Sequence, residues 1–417
     1  MSLGENVNAR LTYKPYATGV ITSNSQPVSA TDPAATGGQI LRRTTCTLDL
    51  AKDTFESGEN RPDLQVGDMR HGLKRVQGSI MGELSPGTYF DFMEAACRGT
   101  KASAVALSNT DLTSVAFDST TGTATFGGGN PVTLGLRVGH ILNFTNCSEA
   151  ANNSTNFTIL GFSGGSNRDV LISPAPTTQT ADTTFNVTTV GKSVIVPSSS
   201  FVKRKFGVEV YHSDLDSHRF FTECRVGGMK LALPPSGMAT VEFPMMGRDM
   251  ETATGGSSPF FTNPTAQTTT GLLAAVNGLL RLGGSTVGVV TGLSIDMDLS
   301  SSTDPVVGQS YGPEIFLGRA RVSGQVTAFL EDFTLLNYFK NENEVEILSY
   351  LTASSAAAAQ AITILLPRVK FKDADIGLEG EAGIPITLPF TALKYETSVA
   401  TDGIENTTIQ ICDTAAA

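Results

Sequence analysis

The stretch RVQGSIMGELSPGTYFDFMEAACRG, residues 75–99, opens with the alternation of a strand and closes with the spacing of a helix. A second stretch of the same design, RVSGQVTAFLEDFTLLNYFKN, stands at residues 321–341. With Arg75 set on Arg321, 246 residues on, Val76 meets Val322, Gly78 meets Gly324 and Ile80 meets Val326 without a gap. These positions alternate, so they mark one face of a strand. A glycine in mid-strand marks a bulge or a close backbone approach, and both copies carry it. In the first copy Ser85 is the expected helix N-cap, with Pro86 at the first helical position. Tyr89, Phe92, Met93 and Ala96 then form one apolar stripe, answered by Leu335, Tyr338 and Phe339 in the second copy.

Working outward, three more blocks recur in the same order. CTLDL (46–50) resembles SIDMDL (294–299), with Leu48 set on Met297. VEVY (208–211) resembles VEIL (345–348), and CRVGGMKLALPPSGMATVEFPMMG (224–247) resembles PRVKFKDADIGLEGEAGIPITLPFTAL (367–393). Four blocks in one order indicate a duplication. The spacing between copies falls from 246 residues at the helix to 137 at VEVY, so the first copy carries about 109 residues that the second lacks. That extra stretch reads as short alternating strands parted by Gly, Asn, Ser and Asp, which is the pattern of a small β module set into a surface connection. The expected fold is mainly β: two tandem β-sandwich or barrel repeats, each with a flanking α-helix, plus an inserted small all-β module. The expected divisions are 1–100 for the first repeat, 101–205 for the module, 206–250 for completion of the first repeat, 251–270 for a linker and 271–417 for the second repeat. Residues 352–361 read as a short helix or a loose connection.

Composition agrees with this class. The chain has 417 residues, 42 of them Gly and none Trp, with 40% hydrophobic and 17% charged residues, enough for packed cores. No apolar run approaches the length of a membrane span. The start, MSLGENVNARLTYKPY, shows neither the basic nor the apolar region of a secretory signal. The five cysteines are scattered without a CxxC, so reduced, mostly buried thiols are expected rather than a disulfide or zinc framework. The net charge is −11, the wrong sign for a protein that grips phosphates.

The charges lie in two kinds of place. Alternation puts Asp49, Glu83 and Glu242 on the polar face of the first copy's strands, and Asp296 and Asp298 on that of the second. The paired strands are joined by long charged loops. Residues 51–74 carry Asp53, Glu56, Glu59, Arg61, Asp63, Asp68, Arg70 and His71, and residues 300–319 carry Asp304, Glu314 and Arg319. A hairpin needs only two to five connecting residues, so both loops call for a purpose. Catalytic sets are lacking. His71 beside Asp68 and Arg70 reads as a surface or interface cluster, and His212 and His218 around Asp214 and Asp216 as a solvated turn. Asp296 and Asp298 lack the aromatic cleft that paired glycosidase carboxylates use. There is no GxSxG, Walker A, HExxH or EF-hand loop. The chain is expected not to be an enzyme and to need no cofactor or metal.

The run RPDLQVGDMRHGLKRVQGSIMGELSPGTYFDFMEAACRGT (61–100), together with MKLALPPSGMATVEFPMMGRDM (229–250), ARVSGQVTAFLEDFTLLNYF and LPRVKF, resembles the tail tube (major tail) proteins of phages with long non-contractile tails. The resemblance covers most of the chain outside the insert. It implies a structural virion protein, assembled in the host bacterial cytoplasm, whose sheets curl side by side into stacked rings. DNA passes through such a tube at ejection without specific binding, and a tape measure protein fills the lumen beforehand. The partners it implies are further copies of the chain and the tail tip and terminator proteins, with no membrane. Asp49, Glu83, Glu242, Asp296 and Asp298 are then the lumen-lining candidates. The loop residues Asp53, Glu56, Glu59, Arg61, Asp63, Arg70, His71, Asp304, Glu314 and Arg319 are candidates for contacts between subunits or rings. With two copies per chain, a trimeric ring of pseudo-sixfold symmetry is expected, and a hexamer is the alternative. From a different class, a β-rich carbohydrate-binding or adhesion protein with the inserted module as binder is the other reading.

Overall fold

The computed structural model describes residues 5–416 apart from 18–32, 61, 64, 275–277, 287–289, 378–382 and 398–401. The molecule is mainly β. One sheet organises it. In the first repeat its strands are β1 (Asp49–Glu56), β2 (Met69–Glu83), β3 (Gly228–Leu233) and β4 (Thr240–Gly247). In the second they are β5 (Val290–Asp298), β6 (Arg321–Phe329), β7 (Asp375–Ile376) and β8 (Pro385–Ala392). Antiparallel pairing runs β1–β2–β4–β3 in the first repeat and β5–β6–β8–β7 in the second. β3 pairs directly with β5, from Gly228 opposite Asp298 to Leu233 opposite Leu293. The two repeats therefore share one continuous, antiparallel wall.

Period-two burial explains why the wall forms. On β5, Leu293, Ile295 and Met297 are buried and Ser294, Asp296 and Asp298 are exposed, and β4 buries Val241, Phe243 and Met245 in the same way. Behind the buried face lies a second layer. In the first repeat it comprises Ala9–Pro15, Phe206–His212, Ser217–Val226 and Asp249–Thr254. In the second it comprises Gly278–Leu282, Val345–Thr352, Ala361–Phe371 and Gln410–Asp413. The correspondence extends to an irregularity: the register shifts between Phe206 and Val208 in one copy and between Val345 and Ile347 in the other.

Each repeat carries a short helix, α1 (Phe90–Cys97) and α2 (Thr334–Lys340). The expected stripe is buried: the Phe92 ring lies 5.5 Å from Phe243 of the wall and 4.7 Å and 5.1 Å from Tyr13 and Phe206 of the second layer. Burying such a ring contributes about 2–3 kcal/mol. The helix starts later than the expected cap at Ser85. Gly87 adopts φ +73°, outside the right-handed region, and its N–H donates to Asp413 Oδ2 at 2.7 Å. Residues 85–88 are thereby held as a turn, and Tyr89 takes the N-cap position. The mid-strand glycines are sites of close approach. A Cβ on Gly78 would lie 2.4 Å from the Thr47 carbonyl oxygen, and one on Gly324 2.1 Å from that of Ser294.

Eight strands between Ala106 and Thr189 form a separate antiparallel sheet around Phe117, Phe126, Phe144, Phe157 and Phe185. It sits on the outward side of the second layer, away from the wall. Val138 packs on Leu348 and Leu365, Gln410 Nε2 donates to the Val138 carbonyl at 2.8 Å, and Arg137 pairs with Glu405 at 2.6 Å. Lys192–Ile195, read in the sequence with this module, pairs instead with Gln410–Asp413. Residues 251–270, read as a linker, are anchored. Phe261 is buried, Phe260 stacks on Phe220 at 3.9 Å, and the buried Glu209 carboxylate accepts the Phe260 N–H at 2.6 Å. Residues 353–360 form a turn rather than a helix, tied to the module by Asn156 Nδ2 donating to the Ala359 carbonyl at 2.9 Å.

Candidate functional site

Asp49, Glu83, Glu242, Asp296 and Asp298 all belong to the polar face of the continuous wall, because the register puts each out of phase with its buried neighbours. The face is not uniformly acidic. Lys230 of β3 stands between Glu242 and Asp296 on the strands either side, and its Nζ lies 3.6 Å from Glu242 Oε2. Arg321 is directly opposite Asp298 on that face, while Arg219, which reaches to 3.8 Å from Asp49, belongs to the second layer. Lys230 was legible as a polar-face position in MKLAL. Its acidic neighbours were not, since they depend on strand order.

The loops differ in how they are held. β1 and β2 extend as a two-stranded arm out to the Glu56–Met69 pair, with Phe55, Val66 and Met69 exposed on it. Asp53 is tied to Arg75 at 3.0 Å, Arg70 to Asp68 at 2.8 Å, and Asp63 accepts the Gln65 N–H at 3.4 Å. Glu56 and Glu59 are exposed, as is His71, which borders a groove with Phe55 and Pro305. Arg61 lies outside the described residues.

The second loop folds back onto the first repeat. Glu314 meets Lys205 at 3.2 Å and Arg225 at 3.8 Å, and Glu223 holds Lys205 at 2.6 Å and Arg248 at 2.7 Å. Burial pushes the Arg225 guanidinium below its ordinary value, and Glu314 opposes that shift. Arg248 lies over the Tyr311 ring at 4.2 Å, and the Lys74 N–H donates to the Ser310 carbonyl at 2.7 Å. Glu314 thus binds within the chain, whereas Asp304 and Arg319 are exposed. Lys205 and Arg225, which hold Glu314, had no signal in the sequence beyond their charge.

The other clusters carry no visible chemistry. His218 Nδ1 lies 3.2 Å from Ser258 Oγ, Asp214 accepts the Glu5 N–H, and Asp216 accepts the Tyr211 hydroxyl. Among the described residues, no three His, Cys, Asp or Glu side chains gather to hold a metal ion. The cysteines are free, and burial pushes the Cys97 thiol up to about 12, far from the range of a reactive thiolate. No helix among the described residues is long and apolar enough to cross a membrane.

What the fold and surfaces define is a β protein built of two like halves, with its polar groups spread along faces and edges. The chain belongs to the phage tail tube protein family, whose model matches residues 7–392. It is a structural component of the phage virion, and the family implies self-assembly into a tube. No curated protein matches the chain.

Proposed function

We propose that three chains close into a ring of pseudo-sixfold symmetry, and that rings stack into the hollow tube through which the phage genome leaves the virion. The observation that carries this reading is the β3–β5 pairing, which turns two four-stranded arcs into one continuous eight-stranded wall. A closed ring removes free strand edges, and among the described residues β1 and β7 each pair on one side only. Each repeat occupies the place that a whole single-copy subunit takes in a six-membered ring, so three chains suffice.

The polar face supports the bore assignment. Asp49, Glu83, Glu242, Asp296 and Asp298 repel phosphates there, and Lys230 is held by Glu242. A polyanion meets five carboxylates against Lys230 and Arg321 along such a surface and slides rather than binds. The 106–189 sheet, on the opposite side, decorates the exterior. Negative-stain electron microscopy of the concentrated full-length chain tests the reading. Hollow tubes or stacked rings are expected; a protein that stays monomeric, or forms solid aggregates, under conditions that preserve its fold contradicts it.

A further inference from the structure

The intrachain junction has a counterpart that is open. Across the β3–β5 seam the second-repeat loop, through Thr303, Glu314 and Ile315, fills a pocket beside Arg75, Gly247 and Arg248, leaving only about 10 Å³ of free space. The register makes Val322 and Ala392 the equivalents of Val76 and Gly247, since each pair faces across the matching strands. At that equivalent place the second repeat has a cleft of about 580 Å³, bordered by Arg98, Arg319, Arg321, Lys372 and Lys394. Among the described residues, Arg319, Arg321 and Lys372 form no ion pair; Lys394 pairs with Glu396 at 3.1 Å.

The element that would fill this cleft by the same operation is the arm between β1 and β2, which corresponds to the loop between β5 and β6. Within its own chain the arm stands out with Phe55, Glu56 and Glu59 exposed. Residues 53–68 carry five carboxylates and one arginine; Asp53 and Asp68 already pair with Arg75 and Arg70, and the exposed Glu56 and Glu59 match the cleft in charge as the arm does in position. We propose that the 53–68 arm of one chain docks in the Arg319/Arg321/Lys372 cleft of the next copy, with β1 pairing along the free edge of β7. The docked carboxylates then do for these cations what Glu314 does for Lys205 and Arg225. This rests on the ring reading above and names the contact that closes it.

The test uses the full-length chain and charge reversals at exposed positions. Arg319→Glu with Lys372→Glu alters the cleft, Glu56→Lys with Glu59→Lys alters the arm, and a quadruple variant carries both. Circular dichroism and melting confirm folding, and sedimentation with electron microscopy reads assembly. Each double variant is expected to raise the critical concentration for assembly about tenfold or more at low salt. The quadruple variant, in which the signs match again, is expected to recover most of that loss. Double variants that assemble like wild type, or a quadruple variant no better than the doubles, overturn the docking while leaving the ring reading standing. A wild-type chain that forms no ring or tube overturns the ring reading, and the docking with it.

Discussion

Two buried titratable residues pull the stability of this protein in opposite directions as pH changes. Burial lowers His140 to about 4, with Arg137 adding repulsion, and raises Asp413 to about 6 against the hydrogen bonds it accepts from Gly87 and Ala415. Below pH 6.5 the unfolded chain protonates His140 while the folded one does not, so stability falls on acidification towards pH 4. Between pH 3.8 and 6 the folded chain keeps the Asp413 proton that the unfolded one has lost, so this group's stability falls as pH rises. Each effect amounts to roughly 3 kcal/mol across its full window, and between pH 4 and 6 they nearly cancel. Asp413→Asn is therefore expected to expose a loss of stability on acidification from pH 6.5 to 4. His140→Gln is expected to expose a loss as pH rises from 4 to 6. Urea midpoints measured against wild type at each pH check this. A variant profile parallel to wild type's would mean that the residue ionises alike in the folded and unfolded chain.

At the scale of elements, the two chain ends of the inserted sheet meet at one narrow place, beside the flank that packs on Leu348 and Leu365. The Val105 N–H donates to Thr189 Oγ1 at 2.7 Å, and the Thr189 N–H to the Val105 carbonyl at 2.8 Å, so the two ends of the module meet. Replacing 106–188 with two glycines is expected to leave a folded chain that still assembles. Its melting temperature should drop by roughly 5–10 °C because Leu348 and Leu365 lose their cover. A folded deletion product that cannot assemble would place the module in the tube wall. Much of this architecture was legible, because alternation in the 75–84 and 321–330 blocks fixes which face is buried. What alternation cannot fix is a shift of two residues, which leaves every side chain on its own face. The structure sets Leu50, not Leu48, in the place of Met297, since these residues face Val76 and Val322. Lys192–Ile195 and the Phe260–Phe261 anchor were missed for another reason: their partners lie far away in the chain, and local composition there looks like turn or linker. The five carboxylates of the polar face could be read from strand phase alone. Lys230 beside Glu242 and the cleft at Arg319 required the strand order.

For the whole molecule, the ring reading gives a mass. Three chains of 43.8 kDa make a ring of about 131 kDa. A hexamer has twice that mass and, since both repeats share one wall, a bore of about twice the circumference. Mass photometry of disassembled tubes, or a reconstruction that counts chains per ring, decides between them, and six whole chains in one ring would refute the threefold arrangement. The β3–β5 pairing has a mechanical consequence for such a ring. Three of its six joints are tethered within a chain, where the partner strand is always near and no concentration is needed for closure. The other three depend on encounter and, through the acidic arm, on ionic strength. Strong and weak seams then alternate around the circumference. A tube under tension, or one placed in concentrated salt, should part along the three lines between chains and release intact two-repeat staves.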